Sequence, residues 1–206
     1  MSGQIKIATN MASSKYIDTG KSVSEELANF TLGLSLSDIP DEVVRHALLC
    51  ISDAIGIAFA SHGYPFADKG INASTNFGSN GKGLVIGYDK TFDYRDAALV
   101  NGLLIHGLDY DDTHSQSVIH ATSSSLPTVI AAAQIWDATP SELLLAYIIG
   151  VETSARIGLI SGGKFQQAGF HPTGLIGTFG STLAASKIAE LSIPQIVSAQ
   201  GIALSM

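Results

Sequence analysis

Three times in this chain a hydroxyl residue is followed, three positions later, by glutamate or glutamine just ahead of an apolar run: Ser22 and Glu25, Thr139 and Glu142, Ser192 and Gln195. In that spacing the hydroxyl accepts from the backbone N–H three residues on, and the longer side chain folds back onto the first residue's own N–H. Each pair therefore marks a helix start. After the first, Val23, Leu27, Phe30 and Leu34 recur at helical spacing. "SDIPDE" opens a second helix that runs to about Ser61, with Pro40 tolerated in its first turn and Asp41 and Glu42 suited to the positive dipole end. Further helices are predicted over 66–76, over 93–108 with Ala97, Val100, Leu103 and Leu104 buried, and over 124–136 with Pro127 in the first turn. Others cover 139–158, 173–190 and 192–206, and only 84–86 reads as a brief β-like run. The fold class is all-α, with alanine and glycine bringing many helices close together.

Charged residues make up only 14% of the 206, against about a quarter in ordinary soluble domains, so much of the surface is covered. The net charge is -7 and the 11 basic residues are scattered, which argues against nucleic acid. The run 43–60 is apolar but holds Arg45, His46 and Asp53, so it reads as a buried helix and not a membrane span. One cysteine, Cys50, excludes a disulfide framework; it reads as a buried small hydrophobe in a cytoplasmic protein. Residues 1–21 read as a loose leader and 22–206 as one helical domain. The last helix carries no glycine cap, following proline or polar tail, so the chain reads as cut in mid-helix.

The chemistry concentrates in "HGLDYDDTHSQSVIHATSSSLP", residues 106–127. Asp109, Asp111, Asp112, His114 and His120 are all possible metal ligands, yet their spacing fits neither an EF-hand loop nor a zinc helix, so no metal is expected. Acid/base work suits the set better. Burial and like charges raise carboxylate pKa values, and carboxylates fix histidine tautomers. Asp109, at the end of an apolar helix, is expected to be desolvated and to act with His120 on one ligand. The bland alternative is that Asp111, Asp112 or Thr113 only terminates helices. In a second cluster, "GFHPTGLIGTFGS", His171 and Thr173 precede a helix whose free N–H groups suit a carboxylate, while Gly174, Gly177 and Gly180 read as close-packing positions.

"NGLLIHGLDYDDTHSQSVIHATSSSLPTVIAAAQ", "GVETSARIG" at 150–158 and "GFHPTGLIGTFGSTLAASK" at 169–187 together resemble the signature of the MmgE/PrpD family. The resemblance implies a multi-helix MmgE/PrpD-type domain, here truncated before an α+β lid, with the lid and a catalytic lysine beyond Met206. It implies a homodimer without metal or cofactor, whose partner is a small polycarboxylate substrate. Carried over, the catalytic residues fall on Asp109, His120 and His171; Thr113 carries over as well, and with Thr173 is expected to bind substrate. Ala121 and Thr122 depart from the Pro-Ser of many members; some decarboxylase-like members also lack that proline. The function implied is a lyase using acid/base chemistry, foremost like 2-methylcitrate dehydratase, alternatively like cis-aconitate decarboxylase or iminodisuccinate epimerase. This chain alone is then expected to be inactive. The reading from another class is an inactive helical interaction module.

Overall fold

The computed structural model describes residues 20–78 and 80–205, so the leader expected over 1–21 lies outside the described residues except for its last two. In order the chain forms α1 (Val23–Gly33), a 3-10 turn (Leu36–Asp38), α2 (Asp41–Ser61), α3 (Pro65–Phe77), β1 (Gly83–Leu84) and β2 (Thr91–Phe92). It continues with α4 (Tyr94–His106), α5 (Ala121–Trp136), α6 (Pro140–Ser161), α7 (Lys164–Gln167), α8 (Pro172–Ile188) and α9 (Ile193–Leu204). The strands pair antiparallel, Gly83 opposite Phe92 and Leu84 opposite Thr91. Everything else of regular structure among the described residues is helical, as the periodicity predicts.

The helix starts follow the capping pairs. The Glu25 amide donates to Ser22 Oγ at 3.3 Å while the Ser22 amide donates to Glu25 Oε2 at 2.7 Å. Thr139 and Glu142 repeat the pattern at 3.3 and 2.7 Å, and the Ser192 amide reaches Gln195 Oε1 at 2.9 Å.

α5, α6 and α8 form the centre. Leu104, Leu126, Val129, Tyr147 and Ile148 fill the main core between α4, α5 and α6. Ala28, Ile149, Leu183 and Ile196 tie α1 and α9 onto α6 and α8. A smaller cluster of Ile119, Ala121 and Ile176 sits where the loop after α4 meets α5 and α8. The α6–α8 seam is closed by glycine. A Cβ on Gly180 would strike Ser154 Oγ and the Gly150 carbonyl, and one on Gly177 would lie 2.6 Å from Ser124 Oγ. Gly174 is different: no neighbouring atom lies within 4 Å of its Cβ position, so it is not a packing glycine.

Other expectations are corrected by tertiary contacts. α5 begins at Ala121, so Pro127 lies well inside it and not in its first turn. α6 continues to Ser161, because Gly158 lets Ser117 pack against it and so does not end the helix. α7 forms inside the predicted loop. Leu103 is 36% exposed, and its place is taken by Asn101, whose amide bridges the Leu84 carbonyl and the Ile86 N–H. The buried residues of α2 are Ala47, Ala54, Ile57, Ala58 and Ser61, while Leu48, Leu49 and Phe59 face outward. By length and composition alone α2 and α6 could each cross a membrane. α9 ends at Leu204, where the Ser205 hydroxyl donates to the Ile202 carbonyl.

The seam makes a stability prediction. Gly180→Val forces side-chain volume into helix backbone and is expected to lower unfolding stability by about 1–3 kcal/mol, the usual scale of overpacking. Gly174→Ala, set in open space, is expected to be neutral or to add up to about 1 kcal/mol. Urea denaturation midpoints of the two variants check both signs.

Candidate active site

α4 ends at His106; Gly107 still donates its amide to the Leu103 carbonyl at 2.8 Å and lies against the Phe66 ring, a place where no Cβ fits. The chain then turns sharply, and Asp109 adopts a left-handed φ of 52°. Aspartate tolerates that region; Val118, at φ 55°, does not do so readily, so the loop stores strain there. What holds the loop is visible. The His114 amide donates to the Ile119 carbonyl at 2.9 Å, and Ser117 Oγ donates to the Ala155 carbonyl of α6 at 2.6 Å. Ile119 is buried in the small cluster beneath. The loop thus returns the chain so that His120, at the start of α5, faces the end of α4.

Asp111 lies at the centre. Its side chain is fully buried, and its two carboxylate oxygens stand 3.1 and 3.2 Å from His106 Nδ1. Oδ1 is also 3.4 Å from His120 Nδ1. The carboxylate hydrogen bond lifts the His106 pKa above the ordinary histidine value, against the opposing effect of burial. The outer nitrogen of His120, Nε2, is 3.7 Å from Asp109 Oδ1. Asp109 and His120 therefore meet, as expected. However, the Asp109 side chain is 82% exposed, so the expected desolvation does not act on it. It acts on Asp112, whose carboxyl is pushed up chiefly by burial. Asp112 accepts the Thr122 amide at 3.1 Å in the first turn of α5, so for this one aspartate the helix-terminating role is real. Beyond it, Thr122 Oγ1 and the Tyr147 hydroxyl lie 2.6 Å apart in the core, where burial holds the phenol well above its usual range.

The second cluster arrives from α8. His171 is exposed at the helix start, with its ring centroid 5.7 Å from that of His106; the His106 and His120 rings are 4.9 Å apart. Thr173 is buried, and its Oγ1 accepts the His120 amide at 3.0 Å. Thr173 therefore holds His120 in place through its backbone. Thr113 Oγ1 is 3.4 Å from His120 Nδ1 and remains exposed. All five residues singled out from sequence come together here. Asp111, which the sequence offers only as a possible metal ligand or helix terminator, and His106, which it does not mark individually, complete the group. The only signal for them was their membership of the cluster, because the turn at Asp109 decides which aspartate points inward.

His106, Asp109, Asp111 and His120 each bring a ligand-capable atom within 4.8 Å of the others. On distance alone that set admits a divalent cation, a grouping that linear spacing hides. Chemically, the site offers two imidazoles on one carboxylate, a third imidazole alongside and an exposed carboxylate. Such a set can donate, accept and relay protons, and when protonated it can bind anions. The face is open to solvent at Asp109, Tyr110, Phe170 and His171.

Because the pKa of His106 is raised on folding, its contribution to stability is present at pH below about 6.5, the unfolded value, and is lost as pH rises through the folded value. The melting temperature of the protein minus that of His106→Gln is therefore expected to shrink between about pH 6 and pH 9. Calorimetric melts of both proteins across that range test the sign.

The MmgE/PrpD N-terminal domain profile matches residues 25–206. Cis-aconitate decarboxylase of Mus musculus is 32% identical over 191 residues, 90% of this chain and 39% of that protein. The Homo sapiens enzyme of the same name is 31% identical over 191 residues, 90% of this chain and 40% of the relative. The cis-aconitate decarboxylase-like protein oryM of Aspergillus oryzae is 30% identical over 189 residues, 88% and 39% of the two chains. The chain thus spans about two fifths of the length of these relatives. With three motifs in order, an all-helical fold and a profile match from the first helix onward, this chain belongs to the MmgE/PrpD family.

Proposed function

We propose that the protein of which this chain is part is a lyase for a small polycarboxylate, and that its reaction is decarboxylation of the cis-aconitate type. The observation that carries the reading is the meeting of Asp109 and His120 at 3.7 Å, with His106 and His171 beside them. Three imidazoles on one face form an anion-binding surface when protonated, and the Asp109–His120 pair is a proton donor within it. Sequence reading put dehydration first. The relatives' names, together with Ala121 and Thr122 in place of Pro-Ser, favour decarboxylation.

In the proposed reaction the C–C bond to one substrate carboxylate breaks and its electron pair shifts through the neighbouring double bond. Carbon dioxide leaves, and protonated His120 delivers a proton to the carbon that gains electron density. His120 then recovers a proton from water, with Asp109 at its Nε2 side and Asp111 fixing its Nδ1. His171 binds a spectator carboxylate beside the helix start, Thr113 contacts substrate, and Thr173 keeps the His120 backbone in register. A metal has no role in this scheme, and the protein works as a homodimer.

Incubating the complete protein with ¹³C-labelled cis-aconitate and following the products by NMR tests the reading. One carbon dioxide and one five-carbon dicarboxylate per substrate are expected, unchanged in strong chelator. Products of water addition, without gas, would point to the dehydratase branch, and no turnover of any polycarboxylate would sink the lyase reading. Asp109→Asn and His120→Gln are each expected to cut turnover about 10²-fold or more, with a double variant far less than multiplicatively worse.

A further inference from the structure

His106 has the more specific geometry of the two histidines on Asp111. Its Nδ1 is engaged by both oxygens of a carboxylate whose side chain is fully buried. A buried carboxylate is tolerated only when paired and hydrogen-bonded, so a cationic partner is favoured there. His106 is also the last residue of α4, where the negative end of the helix dipole favours a cation. Both effects act on the same ring.

The other end of that ring is free. Among the described residues no hydrogen bond is made to His106 Nε2, and the side chain is 31% exposed. His120, by contrast, has its backbone N–H on Thr173, its Nδ1 near Asp111 and Thr113, and its Nε2 toward Asp109. The charged and titratable groups around His106 are Asp109 and Asp111 from the loop, His120 from α5 and His171 from α8.

We propose that His106 is a further substrate-binding residue of this site: with Nδ1 held on Asp111, its Nε2–H anchors one carboxylate of the ligand. The role rests on the polycarboxylate reading above and adds to it a fixed cation separate from the Asp109–His120 proton donor. Asp111 is then a positioning residue, acting through His106 by fixing its tautomer and charge. The competing role is purely structural, with His106 merely tying the end of α4 to the loop.

Two substitutions separate these roles. The amide nitrogen of asparagine sits where histidine Nδ1 does, so His106→Asn keeps the tie to Asp111 and removes Nε2. The amide nitrogen of glutamine reaches the Nε2 position instead. The complete protein would be titrated calorimetrically with propane-1,2,3-tricarboxylate, an unreactive saturated probe, and with pentanedioate, which lacks one carboxylate. His106→Asn is expected to bind the tricarboxylate roughly ten- to hundredfold more weakly, the scale of one charge-assisted contact. It is also expected to lose most of the preference over pentanedioate, while His106→Gln recovers part of it. In turnover of cis-aconitate, KM should rise with kcat within a few-fold.

Wild-type affinity in His106→Asn, or no binding of the probe by the wild type, would overturn the proposal. If His106→Asn fails to fold, ¹⁵N NMR of histidine-labelled wild type decides. The His106 Nε2 resonance must move on addition of the probe, and a resonance that stays put overturns the role. A protein that binds the probe through His106 yet turns over no polycarboxylate would remove the lyase reading and leave the anchor standing.

Discussion

The site is organised by one carboxylate that water does not reach. Asp111 has two imidazole nitrogens beside its carboxylate, His106 Nδ1 at 3.1 Å and His120 Nδ1 at 3.4 Å, and burying a carboxylate without such partners is costly. His106 ends α4 and His120 is the N-cap of α5, so the contacts to this one carboxylate join the end of α4 to the start of α5. Both rings are also turned the same way, inner nitrogen to Asp111 and outer nitrogen away. Stripping one member from such a buried group commonly costs about 3–5 kcal/mol, because the remainder is left unpaired.

The helical scaffold makes that arrangement possible by being tightly packed where it matters. Gly150, Gly177 and Gly180 let α5, α6 and α8 approach until side-chain oxygens of Ser124, Ser125 and Ser154 fill the seam. Among the described residues the Ser125 and Ser154 hydroxyls have no hydrogen-bond partner, so their contribution is small volume. The close seam sets where α8 begins, and hence where His171 stands and where Thr173 meets the His120 amide. The strain at Val118 is balanced locally by the Ser117 contact to α6 and by burial of Ile119.

Much of this was legible in the chain because it is local. Capping pairs depend on residues three apart, and all three pairs open helices as read. The polar cluster was legible as a cluster, and Asp109, Thr113, His120, His171 and Thr173 all converge. What escaped depends on contacts distant in sequence. Pro127 lies deep in α5 because Asp112, ten residues earlier in the chain than Thr122, caps that helix from outside. Which aspartate is buried depends on the path of the chain through a left-handed residue at Asp109, which residue spacing does not reveal. Desolvation therefore acts on Asp112 and not on the exposed Asp109, and Thr173 meets the His120 amide 53 residues away in sequence. The outward face of α2 was misread because apolar residues cover nearly its whole circumference, so composition could not say which side packs.

The most direct test of the account is a high-resolution crystal structure of the complete protein with propane-1,2,3-tricarboxylate bound. The account requires the Asp111 carboxylate within hydrogen-bond distance of Nδ1 of both His106 and His120, and the ligand on the opposite, Nε2 side of the rings. A structure in which either imidazole turns its Nδ1 away from Asp111, or in which the tricarboxylate lies away from these histidines, would contradict it.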